Sequence, residues 1–246
     1  MNSVRVRIPM RLDGREKDEL REIEIETGYQ PLPDGSVLIT WGETRVLCSA
    51  TVEYRVPFFL TGRGTGWVTA EYGMLPGSGN RRIKRERTGA KGRTQEIQRL
   101  IGRSLRQAVY LDKMGERTIT IDCDVLVADG GTRVASIVGG AVALRLAIKR
   151  QIVERKMKED PFRGYVSALS LGVVDGDILL DLCYDEDSRA IMDMNVVINE
   201  TGDLVELQAT AEGGTVPLDT VNTMTEKAIE AISEIVIPIQ KEATAE

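Results

Sequence analysis

The spacing of hydrophobic and polar residues in the first half of the chain predicts strands followed by helices. Residues 36–54 alternate on both sides of a Trp-Gly-Glu-Thr turn, which indicates an antiparallel strand pair. The glycine-rich residues 61–76 are expected to be extended and irregular. Apolar residues from Thr94 to Val109 recur at helical spacing, whereas residues 117–127 alternate again. That strand leads into Ala-Asp-Gly-Gly-Thr-Arg and then into a predicted helix from about Thr132 to Lys156.

The second half repeats this order of elements. Its alternating segments predict a hairpin closed by an Asp-Gly-Asp turn, then a second strand pair, and its last apolar stripe predicts an amphipathic helix. The segments are residues 166–173, 178–182, 194–198, 204–210 and 218–239. Because no Pro/Ser-rich linker separates the halves, the pattern predicts one compact α+β domain built from two similar halves.

Composition narrows the chemistry that the chain can carry, because its 246 residues include no histidine. Ser-His-Asp and Cys-His catalytic systems, and zinc sites with histidine ligands, therefore lack an essential group. The three cysteines, Cys48, Cys123 and Cys183, lie far apart and are interpreted as small core residues. No apolar run reaches the roughly 20 residues of a membrane span, and no secretory signal is recognisable, so we expect a cytoplasmic protein without a membrane partner.

Charge is distributed unevenly along a chain whose net charge is −6. Residues 81–93, here called the basic segment, contain seven basic residues and one acid, whereas residues 181–193 contain five acids and one arginine. A run of this kind is usually a solvated loop. It can also follow a nucleic-acid backbone, because RNA binding takes much of its affinity from Lys and Arg contacts to phosphates. The basic residues are Arg81, Arg82, Lys84, Arg85, Arg87, Lys91 and Arg93.

Two glycine-arginine sites at predicted helix starts are candidates for binding a small anion. In Gly130-Gly131-Thr132-Arg133 the glycines let backbone amides approach an anion, Thr132 adds a hydroxyl, and Arg133 adds a guanidinium fork. Gly92-Arg93 offers the same chemistry at another helix start, so the two arginines could clamp one phosphate from two sides. Taken alone, a Gly-Gly-x-Arg run is more often a plain strand-to-helix turn.

Three aspartates of the acidic region are candidates for catalysis or metal binding. Asp181 is predicted to close a strand, Asp187 to lie in the next loop, and Asp193 to open the following strand. Carboxylates at adjacent strand ends can converge on Mg²⁺, which takes one or two of them together with waters and substrate phosphate. One of them could instead protonate a leaving oxygen, and any single one could be a turn residue in water.

The chain also resembles the ribonuclease PH family of phosphorolytic exoribonucleases, from Arg11 to nearly the C-terminus. Several long segments match the family in order. They are Arg-Leu-Asp-Gly-Arg at 11–15 with Asp-Glu-Leu-Arg at 18–21, residues 66–76 and 92–102, Asp-Cys-Asp-Val-Leu at 122–126, Ala-Asp-Gly-Gly-Thr-Arg at 128–133, Glu-Asp-Ser at 186–188, Asp-Met-Asn-Val-Val at 193–197, and Thr-Ala-Glu-Gly at 210–213.

The resemblance implies a fold and a domain organisation. The expected fold has two βαβ-rich halves, like domain 2 of ribosomal protein S5, in which mixed sheets pack against helices. Residues 11–246 would form this single domain after an extension at residues 1–10. The subunits would assemble into a hexamer, a trimer of dimers.

The resemblance also implies an activity and a set of site residues. Such an enzyme trims RNA 3′ ends, chiefly of tRNA precursors, with inorganic phosphate as co-substrate and Mg²⁺ (or Mn²⁺) as metal, and it releases nucleoside diphosphates. The phosphate site falls on Arg93, Gly131, Thr132 and Arg133. The catalytic or metal-binding acids fall on Asp187 and Asp193, with Asp181 as a third ligand, and RNA contacts fall on Arg81, Arg82, Lys84, Arg85 and Arg87.

Two other readings of the same residues remain open at this point. A catalytic subunit of an archaeal exosome would share the fold and the chemistry. A non-catalytic, RNA-binding ring subunit would share the fold only, and it would be expected to lack the phosphate-binding or acidic residues, which are present here.

Overall fold

Five strands of the N-terminal half form one sheet, in the order β1-β2-β3-β5-β4. The computed structural model describes residues 11–85, residue 89 and residues 92–245. The strands are β1 (Ile23–Thr27), β2 (Gly35–Trp41), β3 (Thr44–Glu53), β4 (Trp67–Met74) and β5 (Thr118–Val127). β2 and β3 pair antiparallel from Gly35 with Ala50 to Trp41 with Thr44, which confirms the predicted strand pair and its turn.

The segment predicted to be irregular contains a strand, so that prediction was wrong. β4 runs parallel to β5, from Trp67 beside Thr118 to Met74 beside Val125, and α1 (Gly92–Arg106) lies between them in the chain. Val68, Ala70 and Tyr72 alternate into the core, a period-two pattern that the surrounding glycines obscured. This βαβ crossover brings the start of α1 to the same sheet edge as the end of β5.

Four strands of the C-terminal half form a second sheet, in the order β7-β6-β8-β9, and neighbouring strands pair antiparallel. They are β6 (Val166–Val174), β7 (Asp177–Leu180), β8 (Met192–Asn199) and β9 (Leu204–Thr210). The turn between β6 and β7 is the predicted one, with positive φ at Asp175 and Gly176. A short helix that the sequence did not predict, α3 (Tyr184–Asp187), connects β7 to β8.

The long helix α2 (Thr132–Val153) joins the two sheets into one core. It contacts β2 and β3 of the first sheet and β6 of the second. Its predicted apolar face is fully buried through Ile137, Ala141, Leu144 and Ile148. Two of the cysteines are core residues as predicted, and the third is partly exposed; in order these are Cys48, Cys123 and Cys183.

The C-terminal helix extends beyond its predicted end at residue 239. α4 (Leu218–Ala231) continues through a π-helical turn (Ile232–Val236) into α5 (Ile237–Thr244). Pro238 has no amide hydrogen to donate, and the wider π turn just before it accommodates that gap without ending the helix. Within the described part of the chain, no helix is both long and apolar enough to cross a membrane.

Candidate active site

A cleft of about 910 Å³ lies where the two halves meet. The ends of β4 and β5, the starts of α1 and α2, the helix α3 and the start of β8 all contribute to its wall. The structure therefore brings together residues that are as many as 140 positions apart in the sequence, from Tyr72 to Glu212. Seven of the predicted site residues line this cleft: Arg81, Arg93, Gly131, Thr132, Arg133, Asp187 and Asp193.

The turn that enters α2 is held in a left-handed conformation that glycine adopts readily. Gly130 has φ 75° and Gly131 has φ 67°. The buried hydroxyl of Thr44 accepts a hydrogen bond from the Asp129 amide at 2.9 Å and donates one to the Gly130 carbonyl at 2.7 Å. This fixed turn presents the N-terminus of a 22-residue helix to the cleft, where unpaired amides and the helix dipole favour an anion.

Two arginines give the cleft a positive side. Arg133 is the second residue of α2 and Arg93 is the second residue of α1. The positive charge of each arginine acts to lower the pKa of Asp187, although burial and Asp193 raise that pKa overall. Each arginine also acts to lower the pKa of Tyr72, which burial raises overall. The Tyr72 hydroxyl lies 3.0 Å from the Thr132 hydroxyl, so the aromatic residue supports residues 130–133, here called the phosphate turn because they are predicted to bind phosphate.

Two carboxylates face the positive side of the cleft. Asp187 ends α3 and Asp193 is the second residue of β8. The Asp187 side chain is open to the cleft, but the protein around it restricts hydration. This desolvation, followed by the nearby charge of Asp193, raises the pKa of Asp187 above that of an ordinary aspartate despite Arg133 and Arg93.

The carboxylates of Asp187 and Asp193 are the type of ligand that a divalent cation takes. Two neighbouring carboxylates beside the glycine turn that enters α2 match Mg²⁺, which binds one or two carboxylates and completes its shell with water and phosphate oxygens. The described residues contain no group of three or more acidic, cysteine or histidine side chains that could hold a metal ion. A cation bound by this pair alone would need water and phosphate oxygens for the rest of its shell.

Asp181 lies apart from this pair, so its predicted role as a third metal ligand needs correction. Its carboxylate is fully buried. Arg21 donates to it through Nε at 2.9 Å, Nη2 at 2.6 Å and its own amide at 2.8 Å, and Trp41 Nε1 donates at 3.0 Å. The backbone at Asp181 has φ 55°, which turns the chain at the end of β7. These donors occupy the carboxylate oxygens in the protein interior.

A second buried ion pair holds the helix that carries Asp187. Arg11 donates through Nε and Nη2 to the two carboxylate oxygens of Glu186, each at 2.8 Å, and both side chains are almost completely buried. Burial opposes ionisation of Glu186, but the hydrogen bonds from Arg11 outweigh it and hold the pKa of Glu186 below its usual value. Glu186 also accepts the Cys183 amide at 3.1 Å. Arg11, in the N-terminal motif at residues 11–15, thus anchors α3.

Several cleft residues were not predicted from the sequence. Glu212, Tyr72 and Asn195 lie within the matched segments 210–213, 66–76 and 193–197, which were usable signals, whereas Ser170 lies in a strand and Tyr184 within the acidic region, and neither was singled out. The unpredicted cleft residues are Tyr72, Ser170, Tyr184, Asn195 and Glu212. Of the predicted RNA contacts, Arg81 lines the cleft, and Arg82, Lys84 and Arg85 are exposed on the adjoining segment. Arg87 lies outside the described residues.

Comparison with known proteins places this cleft within one family. Residues 19–149 match the model of domain 1 of the 3′ exoribonuclease family, and residues 164–231 match domain 2. A protein named Ribonuclease PH from Bacillus pumilus is 52% identical over 240 residues, covering 96% of this chain and 99% of the relative. One of the same name from Bacillus cereus is 51% identical over 237 residues, covering 95% and 96%.

Solved structures share the fold at low sequence identity. Rice (Oryza sativa) Rrp46 has a TM-score of 0.77 at 17% identity, covering 96% of this chain and all of that chain. An Archaeoglobus fulgidus exosome with RNA bound to the active site has a TM-score of 0.75 at 21% identity, covering 90% and 89%. An archaeal exosome core has a TM-score of 0.74 at 19% identity, covering 96% and 91%. These likenesses confirm the predicted α+β fold.

Proposed function

Since this chain belongs to the 3′ exoribonuclease family, we propose that its cleft removes nucleotides from the 3′ end of RNA by phosphorolysis. An oxygen of inorganic phosphate bonds to the phosphorus of the last diester, and the bond from that phosphorus to the preceding 3′ oxygen breaks. The 3′ oxygen takes up a proton, and a nucleoside diphosphate leaves. The observation that carries this proposal is the placement of Arg93 and Arg133, at two helix starts, across one cleft from two aspartates.

Arg93 and Arg133 offset the charge repulsion that is the main physical obstacle to this reaction. A phosphate dianion must approach a diester that is itself anionic, so the cleft must offset their repulsion before bonding can begin. Arg133 and the amides of the Gly131–Thr132 turn offer a bidentate cation and helix-start donors, while Arg93 approaches from α1. Fixed donors of this kind cost no reorganisation during the reaction and stabilise charge as it moves between oxygens.

The aspartate pair serves the leaving side of the reaction. Asp187 and Asp193 would hold Mg²⁺ (or Mn²⁺), which supplies positive charge to the transferring phosphoryl group and the leaving 3′ oxygen. The raised pKa of Asp187 also suits it to donate the proton that this oxygen needs. Removing metal with a chelator and then measuring activity distinguishes metal ligation from proton donation. Activity that returns only with added Mg²⁺ or Mn²⁺ assigns ligation, and activity that survives complete chelation assigns proton donation.

We also propose the substrate and assembly that fit this family. The substrate is the 3′ end of tRNA precursors in the cytoplasm, with the basic segment holding the RNA backbone next to the cleft through Arg81 and its neighbours. The assembly is a hexamer, a trimer of dimers. Phe58 and Phe59 are 95% and 56% exposed on this chain, and such side chains suit an interface between copies. Light scattering should give about six times the 27.1 kDa chain mass.

Purified protein incubated with a short RNA, with and without inorganic phosphate, tests the reaction. We expect nucleoside diphosphates that appear only when phosphate is present. Arg133→Ala should abolish turnover and leave the dissociation constant for RNA nearly unchanged, because Arg133 binds the attacking phosphate. A matched control is Arg145→Ala, which changes an arginine of the same helix that pairs with Asp160 away from the cleft.

Two outcomes would contradict the proposal. Nucleoside monophosphates released in phosphate-free buffer would mean hydrolysis instead of phosphorolysis. RNA binding without any product would indicate a non-catalytic ring subunit, a reading that the intact arginine and aspartate pairs argue against.

A further inference from the structure

One buried guanidinium contacts both segments that carry the reacting groups. Arg21 is 8% exposed and lies just before β1. Its Nε and Nη2 atoms bind the carboxylate of Asp181, and its Nη1 atom donates to the Asp129 carbonyl at 2.5 Å. Nη1 also lies 3.7 Å from the Asp129 carboxylate. Asp181 begins the segment that leads to α3, and Asp129 immediately precedes the phosphate turn.

A further hydrogen bond closes these contacts into a ring. The Asp129 carboxylate accepts the amide of Tyr184, the first residue of α3, at 3.2 Å. The ring therefore runs from Asp181 through Arg21 to Asp129 and back to the helix that ends at Asp187. It connects the phosphate turn to the acidic helix directly, without passing through the sheets.

The shape of the arginine side chain is what allows this connection. A guanidinium presents donors on several sides of a rigid plane, so it can bind a carboxylate with one edge and a carbonyl with the other. A lysine at the same position would keep the charge opposite Asp181, but it has one nitrogen and cannot hold both partners in fixed directions. Asp181 would still accept hydrogen bonds from Trp41 and, at 3.4 Å, from Arg15.

We propose that Arg21 is a positioning residue for phosphorolysis, which sets the phosphate turn at the correct distance from the aspartate pair. This inference rests on the proposed function. Arg21 acts through the segments it joins, because its own nitrogens are engaged by Asp181 and Asp129. Arg11 provides a contrast, since among the described residues its buried guanidinium contacts Glu186 and the carbonyls of residues 16, 19 and 181 but makes no hydrogen bond to the phosphate turn.

Arg21→Lys, with Arg11→Lys for comparison, tests the idea in the full chain. We expect Arg21→Lys to lower kcat/KM for phosphate by about 10²-fold, the size of effect that a misplacement of about 1 Å produces. The RNA dissociation constant should not change. Inorganic phosphate should raise the Tm of the parent protein, because it binds only the folded state, and this rise should shrink in Arg21→Lys but persist in Arg11→Lys.

A merely structural role for Arg21 predicts a different result. In that case Arg21→Lys would lower the Tm but keep the parent's KM for phosphate and its phosphate-induced rise in Tm, as expected of Gln240→Met. That control removes two buried hydrogen bonds, to the Val138 and Val166 carbonyls, away from the cleft. This outcome would overturn the inference.

A second variant covers the case in which Arg21→Lys does not fold. Asp129→Ala changes a side chain that is one-third exposed and removes both the charge facing Arg21 and the acceptor for the Tyr184 amide, the contact that closes the ring. It should raise the KM for phosphate in the same direction by a smaller factor, and an unchanged KM would refute the ring. If the parent protein itself shows no phosphate-dependent activity, the proposed function fails. The phosphate-induced rise in Tm still tests the positioning role in that case.

Discussion

Replacing Gly130 with alanine should separate the phosphate turn from the acidic segment. A Cβ atom at Gly130 would lie 2.3 Å from the Leu182 carbonyl oxygen and 2.9 Å and 3.1 Å from the carbonyl carbon and Cα of Cys183. All three are backbone atoms, so no side chain can rotate away. Ordinary contact begins near 3.4 Å. The two backbones must therefore move apart by about 1 Å, the displacement that can reduce catalysis about 10²-fold.

The substitution also carries a conformational cost that can be measured separately. Gly130 has φ 75°, and an alanine held in the left-handed region costs roughly 1–2 kcal/mol. Gly176→Ala is the matched control, because Gly176 has φ 87° in the β6–β7 turn and its Cβ would have no neighbour within 4 Å. The unfolding free energy of Gly176→Ala should fall by this conformational cost alone, and the variant should keep full activity.

Urea unfolding and phosphorolysis kinetics on both variants distinguish the two effects. We expect the unfolding free energy of Gly130→Ala to fall further than that of Gly176→Ala, with kcat/KM for phosphate reduced about 10²-fold at temperatures where the variant is folded. Equal losses of stability and unchanged kinetics in both variants would refute the reasoning, because the clash would then have no consequence for the distance between the two segments.

Three other predictions follow from the same site. In metal-free buffer Asp187→Asn should raise the Tm at neutral pH. Burial and Asp193 raise the pKa of Asp187, so ionisation of the carboxyl costs stability; this cost is absent below the unfolded-state pKa and grows as pH rises through the folded one. An equal gain in acid would contradict this. Trp41→Phe should lower the urea-unfolding free energy by about 1–3 kcal/mol, since a buried carboxylate loses a donor; no loss would refute it. Replacing three exposed arginines, Arg81, Arg82 and Arg85, with glutamine should weaken RNA binding and reduce its dependence on salt. Titration at several salt concentrations measures this dependence, and an unchanged slope would mean that these arginines do not contact RNA.

Most elements of the fold were predictable because their patterns are local. The alternation of β2, β3 and β5 and the apolar stripe of α2 depend on which side chains enter the core, and periodicity reports that directly. α3 escaped because four residues contain too little of a helical period to register. β4 was not predicted because it pairs parallel with β5, a strand distant in sequence, so no hairpin turn marks its end.

The glycine-arginine half of the site was predictable for a similar reason. A glycine-arginine run at a helix start carries its own chemistry, since the amides, the helix dipole and the guanidinium all come from adjacent residues. Arg93 and Arg133 needed only two helix starts to be placed: α2 begins at the predicted Thr132, and α1 begins at Gly92, two residues before the predicted Thr94. Tyr72 and Ser170 could not be found in this way, because neither belongs to a glycine-arginine run: Ser170 comes from the buried strand β6, and Tyr72 from β4, whose strand pattern the surrounding glycines obscured.

The acidic half depended on contacts that spacing does not contain. Asp181 and Asp187 are six residues apart in one acidic run, and by residue type they are equivalent. Arg21, which lies 160 positions before Asp181, surrounds that carboxylate with donors and removes it from the cleft. Asp187 lies near another aspartate instead, and burial together with the charge of Asp193 raises the pKa of Asp187. Partners far away in the chain therefore decide which aspartate becomes structural and which faces substrate, and opposite environments for like groups are how a protein divides such roles.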